Sequence, residues 1–223
     1  MINLKHEVQQ RGFTVAHIKT DSIKIPNATP EIIRFVYDYG KKYGYTFEHE
    51  ATYDRMCLVN NAVYIARYKD GSHAGEWTAT GAQFQIPYVF KTLFSKEPII
   101  FDDLCETKSV KSAIYLDMNE DLPDGEHDYH FVGKIGLFTP IKPECGGGLL
   151  LRQNGEKYDS VTGTKGYRWM ESEDVVKLGK SDEVDMSYYT SLVDDAVNDI
   201  SKYGDFEWFV SNDEPYDDSP PWD

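Results

Sequence analysis

Cysteine is scarce: Cys57, Cys105 and Cys145 stand far apart, with no Cys-x-x-Cys pair. That spacing argues against a disulfide scaffold or a thiol-rich zinc module, and it reads as free thiols in a reducing compartment. Long apolar runs are missing as well: no stretch reaches roughly the 18 residues that a membrane helix needs. Met1 leads into "INLKHEVQQRG", which is not a secretion signal. The expectation is a cytoplasmic chain with no membrane partner. Basic residues are outnumbered, 23 Lys plus Arg against 38 Asp plus Glu, for a net charge of −15. A polyanion should avoid nucleic acid, but the acidity is uneven. Residues 171–223 hold 16 acidic residues against three lysines, whereas residues 1–100 hold ten against 12 basic ones. The first hundred residues therefore remain free to meet DNA. The glycine run "ECGGGLLL" lacks the Gly-Lys-Ser/Thr ending that cradles phosphate, so it reads as a turn between β segments.

With 16 Tyr and 11 Phe in 223 residues, the composition is that of a globular chain. "NLKHEVQQRG" reads as a helix closed by Gly12. "TVAHIKTDSIKI" (14–25) follows as two short strands around a polar turn, with Asp21 at the tip. In "ATPEIIRFVYDYGKKYG" Thr29 is an N-cap and Pro30 the first helical residue, with Ile32, Ile33, Val36 and Tyr37 on an apolar face. Two or three strands come next, turning at Asn60-Asn61 and closing at Lys69-Asp70-Gly71. A short helix after Pro87, a helical turn within "IIFDDLCETKSV" and a strand at "SAIYLDM" complete residues 1–118. Residues 119–130 form a polar linker, 131–211 a small β unit with C-terminal helices, and 212–223 an acidic tail. The fold class is α+β, an antiparallel sheet with packed helices followed by the β unit and helices.

In chain order, four motifs resemble the palm of phage-type family B DNA polymerases. His17-Ile18-Lys19-Thr20-Asp21-Ser22 stands where that family has Tyr-Gly-Asp-Thr-Asp-Ser. A helix follows, then "TFEHEATYDRMCLVNNAVYIARY" with Asn61-Ala62-Val63-Tyr64 at the family's basic-Tyr motif, and Thr80-Gly81 at its step into the thumb. The resemblance covers about the first 100 residues. It implies a palm-like domain over 1–118 that begins the thumb, and a thumb-like 131–211. It implies a nucleotidyltransferase role in DNA replication, with Asp21 as the catalytic metal-binding carboxylate. It further implies Mg²⁺ as the cofactor of an assembled site, and the host cytoplasm as location if the chain is phage-encoded.

The resemblance has departures. Lys19 replaces the family's first Asp, and Asn61 and Ala62 replace its lysines. Residues 1–223 contain neither the earlier carboxylate motif nor the nucleotide-gripping helix. One carboxylate cannot hold two Mg²⁺ ions, so the chain is expected to be inactive alone and to need an N-terminal polymerase part or second subunit. Primer-template DNA is the other expected partner, weakly bound, through Lys19, Thr20, Tyr64, Arg67 and the basic-aromatic cluster Lys165, Tyr167 and Arg168.

Other readings stay open on the residues themselves. Asp21 and Ser22 suit a plain turn. Asp124, Glu126, His127, Asp128 and His130 form a solvated acidic loop or a metal cluster. Tyr167 and Trp169 can face a core instead of bases. "YYTSLVDDAVNDISKYG" is an amphipathic helix whose Asp194, Asp195 and Asp199 either solubilise it or mimic DNA toward a basic partner. The last option makes the chain a non-catalytic, polymerase-derived binding protein.

Overall fold

The computed structural model describes residues 1–118 and 126–212. The fold is α+β, built from helices and antiparallel sheets. Among the described residues no helix is long and apolar enough to cross a membrane. The chain divides into two compact units, Met1–Gly81 together with the chain from Ser211, and Ala82–Val210.

The first unit begins with α1 (Ile2–Gln10), after which Gly12 adopts φ +86°. Strands β1 (His17–Ile18) and β2 (Ile23–Lys24) pair antiparallel, His17 opposite Lys24 and Ile18 opposite Ile23. Helix α2 (Pro30–Lys42) starts as its sequence predicts, with Thr29 extended at the N-cap and Pro30 first, where its missing N–H costs no helical bond. The apolar stripe of α2 meets α1 and the hairpin. Leu4, Val8, Ile32 and Val36 are buried together, and Val15, Ile23 and Ile25 pack against them. A Cβ on Gly40 would strike the Phe47 ring, so only glycine lets the chain after α2 fold back this closely.

Strands β3 (Tyr53–Leu58), β4 (Tyr64–Tyr68) and β5 (Trp77–Thr80) form a separate three-stranded antiparallel sheet. The single sheet expected over this region is thus two, because β1 and β2 are only two residues long and form no ladder with β3–β5. Asn60 makes the β3–β4 turn: its Oδ1 accepts from the N–H groups of Ala62 (2.8 Å) and Val63 (3.0 Å).

In the second unit α3 (Pro87–Phe90) runs on as a wider helical turn to Ser95. A five-stranded antiparallel sheet follows, in the order β10 (Arg168–Glu171), β7 (Tyr129–Ile141), β6 (Glu106–Asp117), β8 (Leu149–Asn154), β9 (Lys157–Ser160). Helices α4 (Ser172–Lys177), α5 (Met186–Ser201) and α6 (Phe206–Val210) complete it. Ile114, Leu116, Phe138, Leu150 and Trp169 from the sheet are buried with Tyr188 and Tyr189 of α5.

Three expectations change here. The helical turn at 101–104 stops before "ETKSV", which is strand because Glu106–Ser109 pair with Ile135–Phe138. Of the expected linker at 119–130, Tyr129 and His130 begin β7 and pair with β6, strands of one unit, and residues 119–125 are outside the described residues. The chain passes from one compact unit to the other at Gly81–Ala82 and again at Val210–Ser211, and the β6–β7 ladder holds both sides of the polar stretch in one sheet. Of the expected tail only Asn212 is described.

Candidate functional site

Only two residues, Thr20 and Asp21, make the apex of the β1–β2 hairpin, because the Lys19 N–H donates to the Ser22 carbonyl at 2.9 Å. Lys19, Thr20 and Asp21 are all exposed. The Asp21 carboxylate accepts no hydrogen bond and forms no ion pair among the described residues. It is held by the turn and offered to solvent.

Below the apex the hairpin touches the three-stranded sheet through side chains. Buried His17 places Nε2 3.0 Å from the Asn61 carbonyl, with its ring centroid 6.2 Å from that of Tyr64. Cross-strand from His17, the Lys24 ammonium lies 4.8 Å from the Tyr64 ring centroid and 5.6 Å from that of Tyr53. A cation over ring faces is attracted by their quadrupoles. Burial is the main cause that lowers the Lys24 pKa; the Glu50 charge opposes it and Lys19 adds to it. Burial likewise pushes the Tyr53 and Tyr64 hydroxyls up. Lys24 has no salt bridge among the described residues, so a half-buried ammonium sits on the same hairpin as Asp21 with ring faces as its protein partners.

The Thr80-Gly81 step fixes the other side of this region. The Thr80 hydroxyl accepts from the Tyr64 N–H (3.2 Å) and donates to the Ala62 carbonyl (3.0 Å), locking the Asn61–Tyr64 turn to β5. Gly81 has φ +119°, and a Cβ there would come within 2.8 Å of Val63. Glycine is therefore required by both backbone conformation and space.

The remaining candidate residues are placed elsewhere. Arg67 is buried. Its Nε and Nη2 donate to Asp54 (2.5–3.1 Å) and its Nη1 to the Ser211 carbonyl (3.1 Å), which Arg55 also reaches at 2.9 Å. Largely buried and bidentate to a carboxylate, Arg67 is engaged in this internal network. Lys165, Tyr167 and Arg168 belong to the second unit. Lys165 is exposed; Tyr167 packs edge-on against Tyr188 at 4.9 Å; Arg168 donates to the Gly147 carbonyl at 2.8 Å. Trp169 is fully buried, its indole donating to the Thr164 carbonyl at 3.1 Å. That cluster is thus mainly core and turn, with Lys165 alone extended to solvent.

The metal-cluster reading of the acidic loop finds a different arrangement. His127 Nδ1 lies 2.8 Å from Asp117, Asp124 is outside the described residues, and no group of three or more His, Cys, Asp or Glu able to hold a metal occurs among the described residues. Mg²⁺ is a hard cation that takes several oxygen ligands, of which the exposed Asp21 carboxylate could supply one.

Lys24 and Tyr53 were not among the residues picked out from the sequence. The signal was available in the hairpin register, which sets Lys24 opposite His17, but the contact with β3 and β4 depends on tertiary packing. Comparison with models of protein families, with curated proteins and with solved structures found no match.

Proposed function

We propose that the chain is the C-terminal palm and thumb portion of a phage-type family B DNA polymerase. In this reading it contributes Asp21 to template-directed transfer from dNTPs, together with an N-terminal polymerase part or second subunit. The observation that carries the reading is the hairpin: one unpaired carboxylate at the apex of a two-residue turn, backed by α2, with Lys19 at the same tip. The order of the hairpin, α2, the Asn61–Tyr64 turn and the Thr80-Gly81 step supports it further. When bound, Mg²⁺ would neutralise phosphate oxygens, with Asp21 among its ligands. The apex fixes that carboxylate without occupying it. Lys19, where the family has a carboxylate, lowers the negative charge of the tip and suits contact with phosphate.

Primer-template titration tests the reading. Labelled duplex with a recessed primer end should bind the purified chain weakly at low salt, less tightly as salt rises, and less tightly still after Lys19→Ala. With Mg²⁺ and dNTPs the isolated chain should not extend the primer. Absence of duplex binding at low salt would overturn the reading. It would favour instead a non-catalytic protein that meets a basic partner through the exposed Asp194 and Asp195 of α5.

A further inference from the structure

The second unit carries an open groove of about 790 Å³. One wall is β6 from Thr107 to Ser112, where pairing with β7 is interrupted between Ser109 and Ile114. The other is the β8–β9 hairpin at Arg152–Gly155, with Val161 and Thr162 beside it. The Ser112 hydroxyl donates to the Gln153 carbonyl at 2.6 Å and ties the walls together. Thr164 secures the adjoining turn, its hydroxyl donating to the carbonyls of Val161 (2.7 Å) and Leu150 (3.3 Å). The groove is therefore built by the sheet and a pinned turn.

Its lining is the reverse of the molecule's balance. The chain has 38 acidic residues and a net charge of −15, yet none of the 12 lining residues is acidic and three, Lys108, Lys111 and Arg152, are cations. Hydroxyls of Thr107, Ser109 and Thr162 add donors between them. Lys108 is half-buried: its ammonium pairs with Glu106 at 2.7 Å and lies 5.0 Å from the Trp169 ring centroid, so its charge is balanced from within. Lys111 and Arg152 are exposed and make no salt bridge among the described residues, although Asp159 stands opposite Arg152 in the β8–β9 pair.

We propose that this groove binds the phosphodiester backbone of a nucleic-acid strand, with Lys111 and Arg152 as the phosphate contacts. The choice of nucleic acid among polyanions rests on the polymerase reading; the anion preference rests on the lining itself. None of the 12 lining residues is aromatic, so recognition is of phosphate and independent of base sequence. Lys111 and Arg152 are brought together across β6 and β8.

The test uses the full chain and a labelled primer-template duplex with a single-stranded template overhang, titrated at several salt concentrations. Lys111→Gln combined with Arg152→Gln should weaken binding about tenfold at low salt. It should also reduce the slope of log affinity against log salt by about two units, roughly one per lost phosphate contact. Both positions are exposed, so the thermal transition should stay in place. Unchanged affinity and slope in the double variant would overturn the proposal, as would an equal loss for an acidic polyglutamate peptide, which would mark a general anion groove. Loss of duplex binding in Lys19→Gln alone leaves the polymerase reading standing and removes the groove. Loss in the double variant alone supports the groove and counts against a hairpin role. No duplex binding by the unsubstituted chain overturns both.

Discussion

Lys24 is an ammonium held partly out of water by two phenol rings, where a charge loses more hydration than the rings return. Its folded pKa lies below the ordinary 10.5, with burial as the main cause. Between the folded value and 10.5 the unfolded chain holds more protons than the folded one, so this residue makes stability rise with pH through that window. Lys24→Met keeps the aliphatic packing and removes the titration. The variant should be the more stable protein near neutrality, and its advantage should shrink as pH approaches 10.5. Urea unfolding at a series of pH values reads this directly; a constant difference between the two proteins would show that Lys24 is not desolvated.

Among the elements, α5 anchors the second unit. Asp185 caps it, its carboxylate accepting from the Ser187 N–H at 3.0 Å. The next turn sends Tyr188 and Tyr189 into the core, with ring centroids 5.1 Å apart in an edge-to-face arrangement. Burial first, then the Glu106 charge, raises both hydroxyl pKa values. The Tyr189 hydroxyl donates to the Leu104 carbonyl at 2.6 Å and fastens the helix to the turn that precedes β6. Tyr189→Phe preserves the ring and strands that carbonyl, and should cost about 1–3 kcal/mol in chemical denaturation. A loss below a few tenths would mean that water replaces the hydroxyl. The glycine run before β8 is an element of the same kind. Gly148 exchanges backbone hydrogen bonds with Trp169 (2.7 and 2.8 Å), and a Cβ there would strike the Asp117 carbonyl. Its glycine serves close strand approach rather than phosphate.

For the whole molecule the charge distribution sets the expectation. The acidic last quarter opposes polyanions, and Asp194 and Asp195 lie exposed on α5, which buries Tyr188, Tyr189, Ala196 and Ile200. Changing Asp194, Asp195 and Asp199 together to Asn keeps the helix polar and removes three negative charges. Duplex affinity should stay the same or tighten slightly at low salt, and the change should fade as salt screens the repulsion. Weaker duplex binding would show that these carboxylates hold structure. Loss of association with a basic protein partner would favour the binding-protein alternative.

Sequence alone determined what depends on short range. The Thr29-Pro30 start of α2, the β1–β2 hairpin, the Asn60 turn and the amphipathic α5 follow from capping, alternation and periodicity within a few residues. The exposed position of Asp21 followed in the same way, since a two-residue apex has no neighbours to bury it. Tertiary structure decided the rest. Arg67 lies in a basic-aromatic strand, yet it is buried because the chain returns 144 residues later with the Ser211 carbonyl. "ETKSV" carries charged and small residues that suit a turn, and is strand because Ile135–Phe138 pair with it. Lys111 and Arg152 carry no mutual signal at 41 residues apart, and come to one groove only through the pairing of β6 with β8. Local patterning fixes elements because its physics is local; which charges end up paired, buried or gathered is fixed by long-range strand register, which no short window contains.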